Sequence, residues 1–109
     1  MQRMGMVLGL KPDKIEAYKR LHAAVWPEIL AKISDCNITN YSIFLKEPEY
    51  LLFGYWEYTG TDFAADGAKM AADPKTQEWW SLCMPMQEPL ATRKESEWWA
   101  MMEEVFHHD

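Results

Sequence analysis

The chain is poor in cysteine, glycine and basic residues, and it has no long apolar run. Its two cysteines, Cys36 and Cys83, are too few and too widely spaced for a disulfide framework or a structural zinc site, so both read as free thiols. Lysine and arginine total 11 against 17 aspartates and glutamates, a net charge of -6. A nucleic-acid partner needs a basic patch that releases counterions, and none is visible. No apolar run approaches the roughly 20 residues that cross a bilayer, which argues against a membrane partner. The opening Met1-Gln2-Arg3-Met4-Gly5 carries neither the apolar stretch nor the cleavage site of an export signal. The expected location is the cytoplasm. There is no Gly-rich phosphate loop, no G-x-S-x-G elbow, and no H-E-x-x-H or C-x-x-C pattern.

What the chain does have is aromatic surface. Aromatic residues make up 14% of 109 residues, six of them tryptophan, enough for a core and for a cleft with flat apolar walls. The length fits one domain, 1–109. Residues 4–10 form a short apolar run and read as a buried strand. Pro12 and Asp13 suit the first turn of a helix. Beyond them Ile15, Tyr18, Leu21, His22, Val25, Ile29 and Ile33 recur at helical spacing, and Pro27 predicts a kink near Trp26 rather than a stop. Residues 38–46 and 51–58 flank the turn Glu47-Pro48-Glu49-Tyr50 and read as a hairpin, the first strand having two mixed faces. Helices are expected from Thr61-Asp62 to residue 72 and, behind Asp73-Pro74, over 75–82. Residues 84–96 read as a loop and 98–106 as the last strand. The order β-α-β-β-α-β predicts a ferredoxin-like α+β fold, a four-stranded antiparallel sheet with helices on one face.

Within that frame Tyr18 and His22, four residues apart, share a helix face with Val25 and Trp26. A histidine there is either a hydrogen-bonded structural residue or a group placed for proton transfer. The adjacent Trp79 and Trp80 project about 100° apart on a helix, so one can serve the core while the other lines a cleft. Indole faces suit the C–H-rich faces of a sugar, and Glu28, Glu57 and Glu78 lie near aromatics where they can accept from a polyol. Trp98-Trp99 reads as packing. The pair His107-His108 reads as a tail rather than a metal site, and no metal is expected.

Tyr18-x-x-x-His22 followed by Val25-Trp26-Pro27-Glu28, then Asn40-Tyr41-Ser42-Ile43, then Trp79-Trp80, resembles the L-rhamnose mutarotase family. The likeness runs from the first strand to Glu103-Glu104-Val105-Phe106, departs most over 83–96, and places His108 where the family pattern has leucine. The resemblance implies a dimeric α/β barrel that interconverts the anomers of L-rhamnose, or of a close 6-deoxy sugar such as L-fucose, without a cofactor. It implies His22 as the acid/base residue, with Tyr18, Tyr41, Trp79 and Trp80 lining the sugar site. A histidine fits the chemistry, since it donates and accepts near neutral pH. Two other readings suit an aromatic pocket with one histidine: an oxygenase or haem-binding α+β barrel, and a non-catalytic sugar-binding module. A homodimer is expected in addition because helices cover one sheet face only, leaving a second face toward which Tyr55, Trp56, Trp98 and Trp99 alternate.

Overall fold

The computed structural model describes residues 1–109. Strand β1 (Gln2–Leu10) lies inside the sheet, β2 (Ile38–Lys46) and β3 (Leu51–Tyr58) form the hairpin, and the antiparallel order is β2-β3-β1 followed by a fourth position. That position is filled by two short strands in succession along the same edge. The first, β4 (Gln87–Glu88), pairs with Leu10 and Gly9; the second, β5 (Ala100–Met102), pairs with Val7, Met6 and Gly5. The long strand expected over 98–106 is therefore only three residues of ladder. The expected loop over 84–96 contributes a 3₁₀ turn (Met84–Met86) and β4 before the excursion begins.

The helices α1 (Ile15–His22), α2 (Pro27–Asp35), α3 (Phe63–Ala72) and α4 (Pro74–Cys83) cover the face that carries Met6, Leu8, Leu10 and Leu52. Three of the four starts have a local cause. Asp62 accepts from the Ala65 N–H at 3.1 Å, and Asp73 accepts from both the N–H and the hydroxyl of Thr76 at 2.9 Å, as N-cap carboxylates do. The kink expected near Trp26 is a full break between α1 and α2. The residue before a proline is driven out of the α region, and Trp26 accordingly takes φ -60, ψ 137, with Pro27 opening the new helix.

Strand β2 departs from plain alternation. Thr39 pairs with Glu57 but Ser42 pairs with Tyr55, so Asn40 and Tyr41 together face Trp56. Asn40 takes φ 49, a left-handed conformation that asparagine tolerates, and its amide donates to Glu57 at 2.7 Å. The extra residue of this bulge lets buried Ile38 and Tyr41 look toward the helices together, along with Ile43. Gly54 is needed at its place, because a Cβ there would stand 2.9 Å from Met6 Cγ and 3.4 Å from the Trp99 ring.

The opposite sheet face is bare, and its occupants differ from expectation. Trp56 alternates with Tyr55 and turns to the helix side, where it packs edge-on with Tyr41 at 5.0 Å, and Trp98 and Trp99 also line the helix-side cavity. Phe44, Phe53, Val7 and Ala100 instead form a cross-strand row on the bare face, with Phe44 64% exposed. Both cysteines are buried and unbridged, and burial pushes the Cys83 thiol up to about 11. No helix is long and apolar enough to cross a membrane.

Candidate active site

A cavity of about 260 Å³ lies between the helices and the sheet. His22, Tyr18, Tyr41, Trp79 and Trp80 all line it, so the five residues singled out in the sequence come together. The break before Pro27 leaves His22 as the last residue of α1, and aromatic contacts hold its ring from two sides. It stacks on Tyr18 with centroids 4.1 Å apart and meets Trp79 edge-on at 5.4 Å. Trp79 is braced in turn by Trp26 at 5.1 Å, over which the Lys75 ammonium lies.

Hydrogen bonding fixes the state of the imidazole. His22 Nδ1 lies 3.0 Å from the Tyr18 carbonyl oxygen. A carbonyl only accepts, so Nδ1 carries the hydrogen, and in the neutral ring Nε2 keeps its lone pair. No protein group takes that lone pair. Burial lowers the His22 pKa, and the bond to the Tyr18 carbonyl opposes this only in part. The ring is therefore a neutral base near pH 7, with its free nitrogen in an aromatic cavity.

Two phenols complete the wall. Burial pushes the Tyr18 hydroxyl up to about 12 and raises that of Tyr41 further, so both stay protonated. Tyr41 has no protein hydrogen-bond partner and is available to a ligand. Trp79 is buried in the core cluster with Tyr18 and Ile29, whereas Trp80 is half-buried at its margin.

The carboxylates noted in the sequence serve elsewhere. Glu57 accepts from Asn40 and Tyr55, while Glu28 and Glu78 both pair with Lys75, and none of the three lines the cavity. His107 contacts Asp109 in the exposed tail at 2.7 Å. No Asp, Glu, Lys or Arg lines this cavity, so its polarity comes from neutral groups: His22, the two phenols, Thr76, Gln87 and indole N–H groups. Sequence reasoning missed Gln87, Trp56 and Trp98 as lining residues. Trp98 Nε1 donates to Gln87 Oε1 at 2.8 Å, and Gln87 Nε2 donates to the Tyr18 hydroxyl at 3.2 Å.

Comparison with known proteins points one way. A family model described as L-rhamnose mutarotase matches residues 3–108. Over the full length of both chains, the sequence is 33% identical to an L-rhamnose mutarotase from Oceanobacillus iheyensis and 31% identical to one from Phocaeicola vulgatus. The crystal structure of an L-rhamnose mutarotase from Formosa agariphila superposes over the whole of both chains, with a TM-score of 0.80 at 24% identity. That likeness establishes the shared α+β fold.

Proposed function

The chain belongs to the L-rhamnose mutarotase family, and on that premise we propose that it interconverts the α and β anomers of L-rhamnose by general acid/base catalysis at His22. The observation that carries this reading is the imidazole itself: Nδ1 is committed to the Tyr18 carbonyl, which leaves Nε2 as an unpaired base in a cavity without charged side chains. Mutarotation requires two proton transfers. Nε2 takes the proton of the anomeric hydroxyl as the bond from C1 to the ring oxygen breaks, and the imidazolium returns a proton to that ring oxygen, giving the open-chain aldehyde. Both oxygens are attached to C1, so one well-placed base serves both. After rotation about the C1–C2 bond, the same transfers run backwards on the other face of the carbonyl. General acid/base catalysis of this kind contributes about 10²–10⁴-fold.

Tyr18 and Tyr41 supply neutral hydroxyls for the sugar, and Trp79 and Trp80 supply indole faces. The apolar wall suits the methyl group of a 6-deoxy sugar, which supports L-rhamnose or L-fucose over a sugar with a hydroxyl at C6. The working unit in this reading is a cytoplasmic homodimer. The test is saturation transfer between the anomeric proton signals of L-rhamnose, L-fucose and D-galactose. Catalysed exchange should be greatest for L-rhamnose and least for D-galactose, and a protein that binds L-rhamnose without transferring saturation is a binding module and not a mutarotase.

Trp80, at the cavity margin, is the indole whose loss separates binding from folding. Trp80→Ala should weaken L-rhamnose binding by about 0.5–1.5 kcal/mol, roughly two- to twelvefold, with a small change in Tm. Titration of the remaining tryptophan fluorescence checks this. Unchanged affinity would remove Trp80 from the site.

A further inference from the structure

Gln87 is one of two buried polar residues. The other, Thr76, is accounted for by its cap to Asp73. Gln87 reaches the cavity from β4, while Trp98 reaches it from the end of the excursion before β5. The interrupted fourth strand thus brings Gln87 against Tyr18 of α1 and Trp98 against Gln87. The hydrogen bonds in this group have a forced direction. An indole N–H only donates, so the oxygen of the Gln87 amide must face Trp98 and its NH₂ must face Tyr18. The Tyr18 oxygen is therefore an acceptor on that side. A phenolic O–H lies close to the ring plane in one of two orientations, and a donor occupying one of them leaves the hydrogen in the other. No protein acceptor takes that hydrogen.

We propose that Gln87, held by Trp98, is a positioning residue that fixes the Tyr18 hydroxyl as a hydrogen-bond donor toward the sugar. This rests on the mutarotase reading above. With it, the stacked pair presents one fixed acceptor, His22 Nε2, and one fixed donor, Tyr18 Oη–H. A hemiacetal carbon has the complementary pattern: its hydroxyl donates and its ring oxygen only accepts.

The test turns on Gln87→Glu, which keeps the side-chain shape and reverses the hydrogen bond. A carboxylate at this place accepts from Trp98 and from Tyr18 together, drawing the Tyr18 hydrogen away from the sugar. The titratable groups facing it are Tyr18, Tyr41, His22 and Cys83, all neutral near pH 7, so burial raises the pKa of the introduced carboxyl. Once protonated, it again accepts from Trp98 and donates to Tyr18. Anomer exchange of L-rhamnose, followed by saturation transfer on the whole chain, should show kcat/KM down about tenfold at pH 7.5. The ratio of variant to wild type should recover as pH falls. In a Tyr18→Phe background the same change should cost less than about twofold, because nothing remains to orient.

Trp98→Phe is the second variant, and it answers the question even if Gln87→Glu does not fold. It frees the amide to turn over and should lower kcat/KM only where Tyr18 is present. Wild-type rates with a flat pH ratio in Gln87→Glu, or equal losses with and without the Tyr18 hydroxyl, would overturn the role of Gln87 alone. A wild-type chain that exchanges no anomers overturns the mutarotase reading, and this inference with it.

Discussion

His22→Ala should abolish nearly all anomer exchange, a fall of about 10²–10⁴-fold, in a protein that still folds. The folding half of the expectation follows from position. His22 is half-buried at the last residue of α1, alanine is the best helix former, and the side-chain bond to the Tyr18 carbonyl is worth about 0.5–1.5 kcal/mol net. His22→Asn should be as inactive as His22→Ala, since an amide can bond to that carbonyl but cannot carry a proton between two oxygens.

The same residue sets a pH dependence whose sign can be worked out. Burial lowers the folded-state pKa of His22 below the ordinary imidazole value of about 6.5. Exchange should hold down to that lowered pKa and fall beneath it, as Nε2 is protonated. Stability follows the same group. Between the unfolded and folded pKa values the unfolded chain binds more protons, so the contribution of a neutral buried His22 is present above about 6.5 and is lost as pH falls through the folded pKa. His22→Ala should remove this part of the stability–pH curve, measured by thermal melts at stepped pH. A folded His22→Ala protein with near-wild-type exchange would end the assignment.

The site was legible where a single element carried it. Tyr18 and His22 lie one helical turn apart, and that spacing alone places the rings together. Asp62 and Asp73 announce their helices through capping chemistry that is local in the chain. Other features depend on partners distant in sequence. Pro27 does not reveal by itself whether a helix bends or stops; in the fold Trp26 leaves the helical region and packs edge-on against Trp79 of α4. Asn40 reads as an ordinary strand residue until Glu57, on the neighbouring strand, holds the bulge that turns Ile38 and Tyr41 to the same side. Gln87 was the least accessible. Its strand is two residues long, below any periodic pattern, and its hydrogen-bond partners are 69 and 11 positions away. Trp98 and Trp99 precede β5 instead of alternating within a long strand, and so both line the cavity.

In the proposed homodimer, Phe44→Glu should separate the subunits without unfolding them. The helices leave one sheet face uncovered, and across it Phe44, Phe53, Val7 and Ala100 stand in register on four strands. An apolar row of this kind is buried when two sheets pack face to face about a two-fold axis, as a closed dimer requires. The C-terminal tail adds to the case. Beyond β5, Val105 and Phe106 are 89% and 81% exposed, an arrangement that suits a segment lying on a second copy. Phe44 is well exposed in the single chain, so replacing it costs the monomer little. Within a sheet-to-sheet contact the same change buries two unpaired carboxylates, one from each subunit, at a cost of several kcal/mol. That should raise the dimer dissociation constant by about 10³-fold or more. Sedimentation equilibrium at micromolar concentration should give about twice 12.8 kDa for the wild type and the monomer mass for Phe44→Glu, with matching circular dichroism. If the wild type sediments as a monomer, or if Phe44→Glu leaves the dimer intact, the two sheets do not meet through this row.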